Sequence, residues 1–128
     1  MALVGYTASW AEGFLVAMHA AARTERLSYL VAHRPGFVAP TLFARQVATF
    51  DQLTGGRIAL HVITGKTDAE QEGDGDFAPK VERYQRAQEY LHLMKRIWAS
   101  DAPFDFVGRF YRVRGAHSDV RLLSRPHP

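Results

Sequence analysis

The chain has 128 residues, room for one modest domain with its own core, and its 47% hydrophobic and 23% charged residues are ordinary for a globular protein. It contains no cysteine, which excludes a disulfide framework, a thiolate metal site and a cysteine nucleophile. The net charge of +3 comes mostly from arginine concentrated late, with five arginines against the single acid Asp119 between Arg109 and Arg125, yet no DNA- or RNA-binding motif accompanies them and nucleic acid is not an expected partner.

Three short apolar runs recur: ALVGY at residues 2 to 6, SYLVA at 28 to 32 and RIALH at 57 to 61. Each is nearly continuous in apolar character, which is how strands covered on both faces read. Each is followed by a helical pattern. Phe14, Leu15, Met18, Ala21 and Ala22 share one face of the first helix, and Leu42, Phe43, Val47, Phe50 and Leu53 share one face of the second. Pro40 suits the first turn of that second helix, and Gly55-Gly56 suits its stop.

After the third strand comes an acid series, Asp68, Glu70, Glu72, Asp74 and Asp76, which the spacing predicts to be a solvated mobile loop over a site rather than a calcium loop. The third long helix carries an apolar stripe of Val81, Tyr84, Ala87, Leu91, Met94 and Trp98, with Glu82 and Arg86 placed for an i,i+4 pair. FDFVGRFYRV, from Phe104 to Val113, reads as a hairpin turning at Val107-Gly108. None of the histidines pairs at zinc-ligand spacing, so no metal site is expected. No apolar run approaches the roughly 18 residues that cross a bilayer, and the N-terminus lacks the layout of a secretory signal. A soluble, cytoplasmic protein is expected.

Strand and helix alternating at this period predict parallel strands joined by right-handed crossovers, an α/β fold. Two architectures use such repeats, an open doubly wound sheet and an eight-stranded barrel, and both bind ligands at the C-terminal ends of the strands. His61 and Thr64 fall at that place after the third strand. The glycine fingerprint of a dinucleotide site, G-x-G-x-x-G after a strand, is missing.

The segment AHRPGFVAPTLFARQVATFDQLTGGRIALHVITG, then ERY, then FDFVGRFYRVRGA, resembles the flavin-dependent luciferase-like monooxygenases, and within them the alkanesulfonate monooxygenase branch. The resemblance runs from Gly5 to Pro128. It implies a (β/α)8 barrel that binds reduced flavin mononucleotide, FMNH2, delivered by a separate NAD(P)H-dependent flavin reductase. It also implies oxygenation of a small organic substrate, such as a sulfonate, by O2 through a C4a-peroxyflavin.

Residue by residue, the resemblance implies that His61 lies beside the flavin, where relatives often have asparagine, and that Thr64 and Gly65 match the family's threonine-glycine. Glu70 lies in a loop that some relatives use for flavin. Arg83 and Tyr84 match the pair directed to the ribityl and phosphate end. Lys80 stands near a histidine of the relatives as a substitute phosphate contact. His33 would share the rim, and Tyr6 and Thr7 would face the substrate. No residue is assigned the chemistry itself.

A whole barrel needs about 250 residues. The 128 residues supply only strands resembling the second, third and fourth, so the expected fold is a single incomplete domain, a partial TIM barrel of three βα units plus a hairpin. Such a piece leaves one sheet face and two edges uncovered, and its partner is expected to be the remainder of the barrel or a second copy. By itself it is expected to be inactive. A non-catalytic assembly module, or a deazaflavin-dependent reductase of the same architecture, are the alternative readings.

Overall fold

The structure is a computed structural model that describes all 128 residues. Strands β1 (Ala2–Val4), β2 (Tyr29–His33) and β3 (Ile58–Val62) form a parallel sheet in that order, with Leu3 opposite Leu30 and Leu30 opposite Ala59. Helix α1 (Gly13–Ala21) connects the first two strands and α2 (Pro40–Thr54) the next two. A short helix α3 (Asp68–Gly73) and the long α4 (Lys80–Ala99) follow, and β4 (Phe104–Val107) pairs antiparallel with β5 (Arg112–Ala116) in a separate hairpin. These are the three βα units and the hairpin that the pattern predicts.

Each strand sends alternate side chains to opposite faces. Ala2, Val4, Tyr29, Val31, Ile58 and Leu60 pack into the core under the helices. Leu3, Leu30, Ala32, Ala59 and His61 lie on the other face, where Leu3 is 64% exposed and His61 is exposed to solvent. The core itself is aromatic: Phe14 meets Phe43 and Phe50 edge-on, each at 5.5 Å between centroids, and Trp98 Nε1 donates to the Ala44 carbonyl at 2.9 Å.

The helix faces differ from the predicted stripes. Along α1 the buried residues are Gly13, Ala17 and Ala21, while Leu15 is 68% exposed. A Cβ on Gly13 would lie 3.3 Å from the Gly5 carbonyl oxygen, so small residues at i, i+4, i+8 let the helix lie close on the sheet. Along α2, Leu42 and Leu53 are exposed, and Ala44, Ala48 and Asp51 join Phe43, Val47 and Phe50 inside. Asp51 is fully buried because its carboxylate accepts from Leu123 N at 2.6 Å, Ser124 N at 2.9 Å and Ser124 Oγ at 2.6 Å, docking the C-terminal tail. Along α4 the buried face is Arg83, Ala87, Tyr90, Leu93, Met94 and Ile97; Val81 and Tyr84 are exposed. That stripe is as regular as the predicted one, but it begins with an arginine, which a count of apolar residues passes over.

Two local readings also change. The acid series is not an open loop: Thr67 caps α3 by accepting from Glu70 N at 3.3 Å, and Arg34, Arg83 and Arg86 hold Asp74, Asp68 and Asp76 in turn. Arg86 is therefore taken by Asp76 instead of Glu82. The hairpin turn spans Gly108 to Tyr111, whose carbonyl accepts from Gly108 N at 2.9 Å, and does not centre on Val107-Gly108. The cause is Glu89 on α4, which accepts from Arg109 N and Phe110 N, each at 3.0 Å, and from Tyr111 N at 2.7 Å.

Candidate functional site

Parallel strands of one sheet end on the same side, so the segments that leave β1, β2 and β3 meet there. A cavity of about 390 Å³ opens between them, lined by Tyr6 from the first, Arg34 from the second, and Val62, Ile63, Thr64, Gly65 and Lys66 from the third. Glu70 on α3 and Tyr84 on α4 complete the wall.

The turn at Thr64 and Gly65 is fixed from behind. Arg83, its side chain only 3% exposed, donates Nε to the Thr64 carbonyl at 3.0 Å and Nη1 to Asp68 at 2.9 Å and to the Ala78 carbonyl at 2.7 Å. Gly65 takes φ +91°, and a Cβ there would collide with the side chain of Gln71, which is fully buried beneath it. Both atoms of the Gln71 amide are buried without a partner. Glu70 accepts from Ala8 N at 3.2 Å, tying α3 to the segment after β1.

The charged part of the wall is Arg34, Lys66 and Glu70. The Arg34 guanidinium lies 4.6 Å from the Tyr6 ring centroid and 4.4 Å from that of Phe37, and its Nη2 donates to the Tyr6 hydroxyl at 2.9 Å and to Asp74. Burial raises the Tyr6 phenol above its ordinary value and the nearby Arg34 charge offsets only part of this, so Tyr6 is a neutral donor or acceptor at ordinary pH. At Asp76, burial works against ionisation, but hydrogen bonds from Arg86 and Ala78 N outweigh it and hold the carboxyl below its usual range.

Of the residues singled out in the sequence, Tyr6, Thr64, Gly65, Glu70 and Tyr84 come together on this one cavity. Thr7, Lys80, Arg83, His33 and His61 do not line it. Lys80 is exposed at the start of α4, and Arg83 supports the Thr64 turn from the protein side. His33 turns inward: its ring stacks on Phe43 at 3.5 Å and Nε2 shares a hydrogen bond with the Tyr90 hydroxyl at 2.9 Å. Burial pushes the His33 imidazole down to about 3, so it is neutral. His61 projects from the uncovered sheet face, adjacent along β3 to the cavity but outside its wall.

Besides the apolar Val62 and Ile63, two charged cavity residues are absent from the sequence-based candidates, Arg34 and Lys66. Both stand directly after sequence-based candidates, Arg34 at the end of β2 and Lys66 in the segment that leaves β3, so the same positional rule covers them.

The family model described as luciferase-like monooxygenase matches residues 1–128. Among solved structures, EDTA monooxygenase (EmoA) from Chelativorans sp. BNC1 superposes with a TM-score of 0.81 at 21% identity, over 94% of this chain and 35% of its own. The oxygenating constituent of 3,6-diketocamphane monooxygenase from the CAM plasmid of Pseudomonas putida, in complex with FMN, gives a TM-score of 0.73 at 19% identity over 85% of this chain and 33% of its own. An F420-dependent secondary alcohol dehydrogenase gives 0.80 at 22% identity, over 89% and 35%. The chain thus spans about a third of the length of the structures it matches. At these identities the superpositions establish a shared fold, and the full-length family match establishes descent: the chain belongs to the luciferase-like monooxygenase family.

Proposed function

We propose that the cavity at the strand ends is the flavin end of an FMNH2-dependent monooxygenase of the alkanesulfonate type, which oxygenates a small organic substrate with O2 once the remainder of the barrel closes over it. What supports this reading is the convergence of side chains from three successive βα connections on one cavity of about 390 Å³. The residues suit an anionic, partly aromatic cofactor. Arg34 and Lys66 offer positive charge, Thr64 a hydroxyl, and Tyr84, 53% exposed, a ring face; Val62 and Ile63 exclude water on the strand side. Arg34, which lines the cavity, has two buried nitrogens without a partner, and a ligand oxygen that reached them would satisfy donors that the fold leaves unmet.

Reduced flavin, when bound, supplies the activation of O2; the protein binds, orients and excludes water. In this scheme Thr64, Gly65, Glu70 and Tyr84 hold the cofactor, Arg83 fixes the Thr64 turn, and Tyr6 faces the substrate. His61, on the open sheet face, addresses the interior of the completed barrel. A separate NAD(P)H-dependent reductase supplies the reduced cofactor in the cytoplasm. Anaerobic titration of the chain with FMN and FMNH2, followed by flavin fluorescence, tests the reading: saturable binding that weakens in Thr64→Ala and Tyr84→Ala supports it. A chain folded by circular dichroism that saturates with neither form overturns it.

The uncovered face of Leu3, Leu30, Ala59 and His61 favours a second reading, in which the chain is an assembly module whose partner is the rest of the barrel. No helix is long and apolar enough to cross a membrane. Light scattering separates the readings, because a persistent oligomer without flavin affinity favours the module.

A further inference from the structure

Arg34 differs from the other arginines around α3 in how its bonds are distributed. Arg83 has two carbonyls besides Asp68, so all its buried nitrogens are met although that acid is 72% exposed, and Arg86 meets Asp76, whose side chain is only 6% exposed, with its Nε alone left unpartnered. The Arg34 side chain is 1% exposed, and of its three nitrogens only Nη2 has partners; Nε and Nη1 are buried with none. A guanidinium carries five N–H donors, and burying several of them unmet is unfavourable. The rings of Tyr6 and Phe37 hold its plane in place beside the cavity that Arg34 lines.

The acid that meets Arg34 is unequal to its partner in burial. Asp74 is 30% exposed and caps the C-terminal end of the six-residue α3, bonded to Arg34 and to the Tyr6 hydroxyl. If the pair opens, the 30% exposed Asp74 carboxylate turns into water at little cost, whereas Arg34, held between two rings, loses its only acid and requires another anion. Lys66, exposed on the same wall, supplies a second positive charge.

We propose that Arg34 is an anion-exchange point: an oxyanion of the cavity's ligand, a phosphate, sulfonate or carboxylate, displaces the Asp74 carboxylate from Arg34, and the end of α3 is released as it binds. This rests on the cavity being a ligand site, and it assigns the ligand class and the residue that recognises it. Asp74 is then a built-in competitor, and its removal tightens binding by the inverse of the fraction of time that Arg34 is open.

The test uses the full chain and inorganic sulfate as probe, with sodium chloride at equal ionic strength as control. Sulfate affinity is measured by calorimetry in wild type, Asp74→Asn and Arg34→Gln. Hydrogen exchange at residues 72 to 76 is followed in the wild type. The expected results are binding roughly tenfold tighter in Asp74→Asn, loss of saturable binding in Arg34→Gln, and faster exchange at 72 to 76 when sulfate saturates the wild type. Equal or weaker binding by a folded Asp74→Asn overturns the proposal, because an acid that merely builds the cavity would have that effect. Should Asp74→Asn not fold, the wild-type exchange decides, and unchanged protection at saturating sulfate overturns it. Parallel titrations with FMN, riboflavin and methanesulfonate name the source of the anion. A preference for FMN over riboflavin that vanishes in Arg34→Gln assigns the flavin phosphate, and an Arg34-dependent affinity for methanesulfonate assigns the substrate. Sulfate exchange without any flavin binding sinks the flavin reading and leaves this one standing.

Discussion

Arg83 Nε donates to the carbonyl of Thr64 across 3.0 Å, so a residue 19 positions later in the chain fixes the turn that follows β3. The same guanidinium reaches Asp68 and the Ala78 carbonyl, and its side chain is almost fully buried. The turn, the start of α3 and the start of α4 are therefore held by one nearly solvent-free cation that does not line the cavity.

Replacing Arg83 by methionine keeps the apolar stem and removes the three bonds. Two carbonyls lose a charge-assisted partner, and a loss of about 2–4 kcal/mol in unfolding free energy is expected. Urea denaturation measures it. Ligand affinity at the cavity is expected to fall with it, because the Thr64 turn relaxes; an unchanged urea midpoint contradicts the role assigned to Arg83.

Glu89 has a similar office at the hairpin. Its carboxylate accepts from three consecutive backbone N–H groups, Arg109, Phe110 and Tyr111, and a Cβ on Gly108 would strike it. Glu89→Ala is expected to cost about 1–3 kcal/mol and to accelerate amide exchange at residues 109 to 111 ahead of global unfolding. Glu89→Gln keeps an acceptor oxygen and should fall between. Protection at these amides that survives Glu89→Ala would show the turn to be self-supporting.

These two residues mark what the sequence could and could not tell. The strands, their parallel order and the hairpin were legible because apolar runs and helical periods are local patterns. The C-terminal strand ends gave His61 and Thr64 as site candidates by position alone, of which Thr64 lines the cavity and His61 does not, and the resemblance added Gly65, Tyr84, Glu70 and Tyr6. What stayed illegible was long-range: that Asp68, Asp74 and Asp76 each meet an arginine from another element, that His33 turns inward onto Phe43, and that Asp51 and Glu89 gather backbone donors 20 to 73 residues away. A charged residue in a sequence reads as solvent-facing, and only packing shows which ones have partners that let them be buried.

His33 sets an acid limit on the fold. Its imidazole is pushed down to about 3 by burial, against an ordinary value of 6.5, so between these values the unfolded chain binds a proton that the folded chain refuses. The stabilisation is fully present above pH 6.5 and is lost as pH falls towards 3, with a slope of at most ~1.4 kcal/mol per pH unit from this group. His33→Gln retains an acceptor for the Tyr90 hydroxyl and cannot titrate. Its urea midpoint is expected to vary less between pH 6.5 and 4 than that of the wild type, and parallel profiles would remove His33 as the cause.

Gly65 and Gln71 provide a test by rescue. Gly65→Ala faces two obstacles, φ of +91° and a Cβ that enters the buried Gln71 amide, so a loss of about 2–4 kcal/mol is expected. Gln71→Ala alone removes a buried amide whose nitrogen and oxygen are both unpartnered, and should cost less than a well-bonded glutamine would. Combining the two relieves the collision but leaves the backbone strain. The double variant should therefore be more stable than the sum of the single losses by about 1–2 kcal/mol, read from urea midpoints of all four proteins. Strict additivity would mean that the backbone angle alone demands glycine at position 65, with no part played by the side chain beneath it.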